Sequence, residues 1–534
     1  MEAEDTAAEG AAAPRPRLRH RIPARLRHHG WKAAVLASGL AAVLLLLAPT
    51  RITPYVTSAL VPDDGITEDI EGTADLFADG SHTIEVTFDE QEYAEMMDTF
   101  QEEGEKEYIR ADIVIDGTAI EDVGLRLKGN STLMGLRGGG REEGEGAGGA
   151  GGTDGGPGGV ALSEDAPEDL PWLISFDEYA EGRAYQGHTE LALRPAASGS
   201  DTALNEALAL ELTEAAGQTT QDHTVTSFTV NGEGTAVRLL LDHPDAAWAT
   251  GLGDGVLYKG RAGGSFDYLG EDPTEYEDAF RQVNAEGAYD LTPVMELLRF
   301  VDEADDAEFA EELDGHLDVE SFARHLALQD LMSNTDGMDG PGNNYYLWYD
   351  LSEERFTVLS WDLNLAFGGM GEGGPTGGGG GGTPEGTEAP QGMRPPEGME
   401  FPEGMEPPEG MELPEGVEPP RGGFPGGERG GGGGMSMGGS GALKERFLAD
   451  AGFEALYESA YADLYAELVG SGTAADLLAE VTARAEEAGD TTAAEVSAGL
   501  AERLEAITAE PSADTGLPGA APGGSAPAAT DAGG

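Results

Sequence analysis

Two glycine-rich tracts interrupt the chain and limit how much of it can form a packed core. Residues 135–169 are rich in glycine and acidic residues, and residues 371–442 repeat six-residue units such as PPEGME between runs of glycine. Such segments bury too little apolar surface to offset the entropy lost on ordering, and their prolines and glycines oppose helix formation. Although 534 residues would suffice for several domains, we therefore predict one medium-sized domain with two flexible insertions.

A basic segment followed by an apolar one predicts how the chain meets a membrane. Residues 1–32 end in a stretch rich in arginine and histidine, and residues 33–49 have no charged side chain. At about 1.5 Å per residue this stretch would span roughly 25 Å, slightly short of a hydrocarbon core of about 30 Å, and Trp31 and Lys32 can extend it at the interface. Because no clear cleavage site follows, an uncleaved signal anchor is favoured over a cleaved signal peptide. The positive flank would keep the amino terminus in the cytoplasm and place the main domain outside the cell membrane.

The chain carries far more acidic than basic side chains. It has 101 aspartates and glutamates against 30 lysines and arginines, which gives a net charge of -71. A polyanion of this size repels phosphate backbones, so nucleic acid is not expected as a partner. The same charge draws divalent cations, although a solvated acidic surface needs no specific function. The chain has no cysteine, which excludes a cysteine nucleophile, and its nine histidines lack the spacing of a zinc site.

The patterned segments predict strands first and helices afterwards. Alternating apolar residues flank the turn Asp116-Gly117, and a second hairpin is predicted around Asn231-Gly232. Helical periodicity follows over residues 285–335 and again over residues 443–510. We therefore predict an α+β fold with a mainly antiparallel N-terminal sheet and a helix-rich C-terminal part.

These patterns divide the chain into segments with different roles. The predicted segments are a basic cytoplasmic arm (1–32), a transmembrane anchor (33–49), an acidic spacer (50–80), a core (81–370) with its flexible insertion (135–169), a low-complexity insertion (371–442), the C-terminal helical part of the core (443–510) and a disordered tail (511–534). The core is thus expected to consist of two pieces on either side of the long insertion.

A loop rich in aspartate, asparagine and glycine follows a predicted apolar helix. In residues 333–350 (SNTDGMDGPGNNYYLWYD) it carries Asp336, Asp339, Asn343 and Asn344. Such a loop can aim several small oxygen ligands at one point, but the same residue types also form ordinary hydrogen-bonded turns. The local sequence supports both interpretations equally.

A second polar cluster interrupts a predicted apolar strand. In LSWDLNLAFGG (359–369), Asp362 and Asn364 stand among apolar residues. Burying an unpaired carboxylate is costly, and a bound metal ion would remove that cost, whereas an edge strand would let Asp362 face water. In kinase-type phosphoryl transfer one aspartate orients the acceptor hydroxyl, while an asparagine and a second aspartate hold Mg²⁺. Asp336, the asparagines after it and Asp362 make up such a set.

A third candidate is the end of a predicted strand in GLRLKGNST, residues 124–132. Arg126 and Lys128 lie two residues apart and therefore on one face of the strand, and Gly129, Asn130 and Ser131 form the turn that follows. Backbone amides at such a turn can hold a phosphate whose charge Lys128 would neutralise. A surface hairpin with a solvated lysine is the commoner explanation of the same residues.

In their order and spacing, these segments resemble the CotH kinase family. The resemblance covers roughly residues 80–510 apart from the insertions, and its motifs are SHTIEVTFD, VGLRLKGNST, ISFDEYAEGRAYQGHTELAL, FTVNGEGTAVRLLLDH, GDGVLYKG, NTDGMDGPGNNYYLWYD and LSWDLNLAFG. It implies a divergent protein-kinase-like fold that binds ATP with Mg²⁺ or Mn²⁺. In spore-forming bacteria such proteins phosphorylate spore-coat proteins, and fungal relatives act at the cell surface as adhesins or invasins.

The resemblance also implies roles for individual residues. Asp336 corresponds to the catalytic aspartate, with Asp339 as the alternative. The implied metal ligands are Asn343, Asn344 and Asp362. The implied nucleotide-contacting residues are Arg126, Lys128, Gly129, Asn130, Ser131 and Asp242. Asp242 stands where the family usually has a glutamate, which would pair with the nucleotide-binding lysine.

Three positions depart from the family pattern. Where the family has basic residues near the strand DLPWLISFD and in the helix NEALAL, this sequence has Asp169, Leu173 and Asn205. Our first hypothesis is an extracytoplasmic, metal-dependent kinase that transfers phosphate from ATP to serine or threonine of envelope or coat proteins. Because the departures remove positive charge from a phosphate site, the second hypothesis is an inactive surface or adhesion protein that keeps the fold and binds a partner or cations.

Overall fold

The computed structural model describes residues 65–78, 80–129, 132–137, 162–194, 202–338, 340, 343–368 and 441–511. The predicted cytoplasmic arm and signal anchor lie outside these ranges, and so do nearly all of the insertion 371–442 and of the C-terminal tail. Within the ranges, no helix combines the length and the apolar character needed to cross a membrane.

Seven strands of the N-terminal part close into a barrel. Along the chain the first nine strands are Glu68–Ile70 (β1), His82–Phe88 (β2), Ile109–Ile115 (β3), Thr118–Leu127 (β4), Trp172–Ser175 (β5), Arg183–Tyr185 (β6), Glu190–Leu193 (β7), His223–Val230 (β8) and Gly234–Asp242 (β9). The barrel order is β2-β3-β4-β5-β7-β9-β8. It closes through a parallel pairing of β2 with β8, while its other pairings are antiparallel. A separate parallel pair joins β1 to β6.

Two tight turns fix the hairpins of the barrel. Asp116 and Gly117 join β3 to β4 with φ of 47° and 83°, and Asn231 and Gly232 follow β8 with φ of 51° and 72°. Aspartate, asparagine and glycine adopt this left-handed backbone more readily than other residues. Both predicted hairpins are confirmed, and alternate residues such as Ile84 of β2 are buried in the barrel.

A second sheet of four antiparallel strands follows the barrel along the chain. Its strands are Gly255–Gly260 (β10), Phe280–Gln282 (β11), Tyr345–Asp350 (β12) and Arg355–Ser360 (β13), in the order β11-β10-β12-β13. The prediction that Asp362 and Asn364 lie inside a strand is wrong, because β13 ends at Ser360. Asp362 then adopts a left-handed φ of 54° and precedes a 3₁₀ turn, Leu363–Leu365.

Helices form most of the remaining described chain. They are Glu90–Glu103 (α1), Met134–Arg137 (α2), Leu204–Ala215 (α3), Ala246–Leu252 (α4), Thr292–Glu303 (α5), Asp306–Glu312 (α6), Val319–Leu331 (α7), Gly441–Ala449 (α8), Ala451–Leu464 (α9), Thr473–Ala488 (α10) and Ala493–Ala506 (α11). Shorter turns are the 3₁₀ helices Pro167–Asp169, Pro273–Tyr276 and Leu313–Gly315 and the π-helix Tyr465–Gly470. Helices α3 and α5–α11 share one hydrophobic core with the second sheet, α1 and α2 pack into the core that fills the barrel, and α4 belongs to a third, smaller cluster. The predicted α+β class, β-rich first and helix-rich afterwards, is confirmed.

Candidate functional site

One end of the second sheet gathers several of the predicted site residues. Tyr345 of β12 lies opposite Ser360 of β13, so Asn344 and Trp361 leave the paired strands at the same end. Lys259 of β10 lies opposite the second residue of β12. The loop before β12 and the segment after β13 therefore meet beside β10.

The loop before β12 holds Asp336 and both asparagines. The Asp336 carboxylate accepts a hydrogen bond of 2.9 Å from the Asn344 side-chain amide. Asn343 is buried, and its amide donates to the carbonyls of Arg261 (2.8 Å) and Gly264 (2.7 Å). The Oδ1 atom of Asn343 is also buried and accepts no hydrogen bond from the described residues. Asn343 thus anchors the loop to the segment after β10, and Asn344 orients Asp336.

Hydrogen bonds tie this loop to the segment after β13. Asn334 donates to Gln329 Oε1 at 2.6 Å, and Gln329 Nε2 donates to Ser360 Oγ at 2.9 Å. The backbone amide of Phe367 donates to the carbonyl of Met332 at 2.6 Å. The two polar clusters that the sequence singled out are therefore held to each other through the end of α7.

Asp362 belongs to a buried ion-pair network. Its carboxylate accepts a hydrogen bond from Nη2 of Arg194, whose Nε donates to Glu206 Oε2 at 2.7 Å. Arg194 directly follows β7 and Glu206 lies in the first turn of α3, so the network joins barrel, helix and second sheet. Burial alone would lower the pKa of Arg194, but the Asp362 and Glu206 carboxylates raise it above its usual value. The Asp362 side chain keeps 28% of its surface exposed and is thus partly accessible to a ligand.

Two lysines approach the same indole ring beside the end of β13. The Nζ atom of Lys259 lies 4.4 Å from the centre of the Trp361 ring, and that of Lys128 lies 5.1 Å from it. Lys128 donates a hydrogen bond of 3.0 Å to His243 Nδ1, and His243 Nε2 lies 3.6 Å from Glu190. Burial lowers the pKa of His243 well below its ordinary value, and Lys128 strengthens this effect. The ring is therefore neutral and can accept the hydrogen bond.

Other predicted nucleotide-contacting residues lie on or after β4. The guanidinium of Arg126 lies 5.0 Å from the centre of the Tyr108 ring. Gly129 has a φ of 107°, and its carbonyl accepts a hydrogen bond from Lys106. The predicted residues outside the described ranges are Asn130, Ser131 and Asp339.

Asp242, at the end of β9, pairs with a histidine. Its Oδ2 lies 3.0 Å from Nδ1 of His188. Burial raises the pKa of Asp242, and His188 opposes that shift. The carboxylate whose charge acts on Lys128 is Glu190 of β7. Within the barrel, Glu190 is thus the carboxylate that acts on Lys128, and Asp242 is paired with His188.

Several residues of the site were not singled out by the sequence reasoning. These residues are Glu190, Arg194, Glu206, His243, Lys259 and Trp361. Two of them had a local signal, since ELALR and VLYKG each place a cation at the end of an apolar strand. The others have no pattern of their own and are recognised only through the fold.

The predicted metal ligands differ from the usual clusters of acids and histidines. Within the described ranges, no group of three or more histidine, cysteine, aspartate or glutamate side chains could hold a metal ion. The predicted set is of another kind, because Asn343 and Asn344 would supply amide oxygens beside the single carboxylate of Asp362. Such oxygens are suitable ligands for Mg²⁺ and Ca²⁺.

The protein thus has a mixed α+β fold, and one end of its second sheet carries acids, amides, two half-buried lysines and the buried Arg194. Residues 161–404 match the family model described as CotH kinase protein. The chain therefore contains a domain of the CotH kinase family, which confirms the resemblance and suggests an atypical kinase that uses ATP. Asp336 and Asp362 lie inside the matched range, and Lys128 lies before it. A comparison with curated proteins found no match.

Proposed function

We propose that this protein is an atypical kinase, anchored in the cell membrane by residues 33–49, that transfers phosphate from ATP to serine or threonine of extracytoplasmic envelope or coat proteins. The observation that carries the proposal is the meeting of the Asp336–Asn344 pair, Asp362 and two lysines at one end of the second sheet. The family match supports the reaction class. The uncharged stretch 33–49 supports the membrane anchor, and its basic flank supports the orientation.

The residues at this sheet end can supply the proton acceptor and the metal ligands that phosphoryl transfer requires in a divergent kinase-like fold. Asp336 would accept the proton of the acceptor hydroxyl, and the hydrogen bond from Asn344 fixes the direction of its carboxylate. Asp362, with Asn344 or Asn343, would hold Mg²⁺ or Mn²⁺, and the unpaired buried oxygen of Asn343 fits that role among the described residues. A divalent ion bound there would neutralise charge on the phosphate oxygens.

Positive charge reaches the site from β10 and from the residue that follows β7. Asn205 stands where the family has an arginine, and its amide donates to the carbonyls of Asn364 (2.6 Å) and Ala366 (3.3 Å). Arg194 after β7 and Lys259 in β10 supply cations instead. A phosphate at this site would therefore still find cationic partners, which favours the enzyme over the inactive surface protein.

The proposal is tested by incubating the full chain with γ-labelled ATP, Mg²⁺ or Mn²⁺, and a generic acceptor rich in serine and threonine. We expect transfer that requires the divalent ion and that Asp362→Asn abolishes, because the amide loses the charge that holds the cation. The matched control is Asp314→Asn, which alters an exposed carboxylate paired with Arg355 and should leave transfer unchanged. Equal transfer by both variants would indicate a contaminating kinase. No transfer, and no rise in melting temperature with ATP and Mg²⁺, would contradict the proposal.

A further inference from the structure

Gln329 is a buried polar side chain in the last turn of α7, and both ends of its amide are hydrogen-bonded. The Oε1 atom accepts a hydrogen bond of 2.6 Å from Asn334, and Nε2 donates one of 2.9 Å to the Ser360 hydroxyl. A buried amide is costly unless it is hydrogen-bonded, whereas an apolar side chain of the same size has no such requirement. The two contacts of Gln329 therefore indicate a role beyond helix packing.

The two partners of Gln329 lie at the bases of the two polar segments. Asn334 precedes Asp336 by two residues, and its Oδ1 accepts a hydrogen bond of 3.4 Å from the Asp336 backbone amide. Ser360 is the last residue of β13 and precedes Asp362 by two residues. One side chain thus contacts the start of the loop that carries Asp336 and the start of the segment that carries Asp362.

The course of the Asp336 loop is set against Gln329. A Cβ atom added at Gly337 would lie 3.3 Å from Gln329 Oε1, so the loop passes directly over this side chain. The backbone amide of Asn334 donates to the Gln329 carbonyl at 2.9 Å. Ser333, at the start of the loop, has a left-handed φ of 50°, which a residue other than glycine rarely adopts without support from its surroundings. Gln329 supplies part of that support.

We propose that Gln329 is a positioning residue, which holds Asp336 and Asp362 at the separation that lets the proton acceptor and the metal ion act on one phosphate group. It acts through Asn334 and Ser360. The inference rests on the proposed function, because that function assigns the two aspartates their roles. Partners that orient metal ligands typically contribute about 10-fold to 100-fold to metal affinity or activity. A shift of one segment against the other should therefore weaken a cation held by Asp362 and the asparagines of the loop.

Mn²⁺ binding by the full chain carrying Gln329→Met tests the proposal. Methionine is similar in length to glutamine and can fill the same space, but it lacks the amide. Electron paramagnetic resonance of free Mn²⁺ gives the amount bound, and Asp362→Asn supplies the background of ions held by the acidic surface. We expect the dissociation constant of the ion that requires Asp362 to rise by about 10-fold to 100-fold in Gln329→Met, and kcat for phosphoryl transfer to fall.

Gln221→Met is the matched control. Gln221 is also deeply buried, and its amide donates a hydrogen bond of 3.2 Å to the Ser360 carbonyl. Among the described residues, no hydrogen bond joins the Gln221 side chain to the loop of residues 333–344. Both variants should lower the melting temperature to a similar degree, but only Gln329→Met should weaken Mn²⁺ binding.

Ser360→Ala isolates one arm of the link, because it removes the hydroxyl to which Gln329 donates. We expect this variant to weaken Mn²⁺ binding in the wild-type chain and to add little in Gln329→Met, where the hydrogen bond is already lost. Since Ser360→Ala removes a single oxygen atom, it provides the measurement even if Gln329→Met fails to fold.

Three results would overturn the inference: no Mn²⁺ binding by the wild type that requires Asp362, equal weakening in Gln329→Met and Gln221→Met, or independent effects of Gln329→Met and Ser360→Ala. The kinase proposal is judged separately by phosphoryl transfer. Transfer by the wild type, with unchanged Mn²⁺ binding in Gln329→Met, would leave the kinase function standing and remove the positioning role. Weakened Mn²⁺ binding in Gln329→Met without transfer by the wild type would do the reverse, leaving a positioned cation site in a protein that does not phosphorylate.

Discussion

Replacing Asp336 with asparagine is expected to slow phosphoryl transfer by about 10²-fold to 10⁴-fold, the usual contribution of a group that accepts a proton in the transition state. Asparagine keeps the size of the side chain, and its Oδ1 can still accept the hydrogen bond that Asn344 donates. The loop should therefore keep its fold, and the loss should fall on kcat while KM for ATP stays nearly unchanged. Initial rates over a range of ATP concentrations separate the two constants.

Asp339→Asn is the matched variant for this experiment. Asp339 lies on the same loop, is the alternative catalytic residue, and falls outside the described ranges. If Asp336 is the proton acceptor, Asp339→Asn should retain a kcat close to that of the wild type. A large loss of kcat in Asp339→Asn with little change in Asp336→Asn would make Asp339 the proton acceptor. If neither variant loses kcat, neither aspartate has that role.

The parts of the fold that could be predicted have local signals. The turns at Asp116-Gly117 and Asn231-Gly232 need left-handed backbone, and the residue types that allow it stand out between alternating apolar runs. The Asp336–Asn344 contact is also local, since it lies within a single loop. Short-range chemistry of this kind leaves a pattern that can be recognised without knowing how the elements pack.

The contacts that complete the site could not be predicted because they are distant in sequence. Arg194 and Asp362 are 168 residues apart, and Lys128 and His243 are 115 residues apart. No periodicity connects such positions, and only the packing of the barrel, α3 and the second sheet brings them together. The end of β13 was misplaced for another reason: the apolar pattern continues beyond Ser360, and Asp362, although a residue type that allows left-handed backbone, has no glycine after it to mark a turn.

Replacing Arg194 with methionine is expected to lower the free energy of unfolding by about 3–5 kcal/mol, the usual cost of removing one partner of a buried ion pair. Glu206 is buried and would then lack the guanidinium to which it is bonded. Burial already raises the pKa of Glu206 and Arg194 opposes that shift, so the variant should have a still higher pKa at this carboxyl. Its folded state then binds a proton that the unfolded chain releases, and stability should rise as the pH falls from about 7 to about 5. Urea unfolding at both pH values measures the effect.

The double variant Arg194→Met/Glu206→Leu tests whether the uncompensated charge causes the loss. An apolar pair in place of a buried ion pair is often neutral or stabilising, so the double variant should recover most of the lost stability. Arg355→Met, at a partly exposed arginine that pairs with Asp314, should cost no more than about 1 kcal/mol. If the double variant is as unstable as Arg194→Met, the loss of stability comes from the unpaired charge of Asp362 and not from that of Glu206. If the double variant is stable but its melting temperature no longer rises with ATP and Mg²⁺, Arg194 positions Asp362 for the cation. If that rise is unchanged, the ion-pair network contributes only to stability.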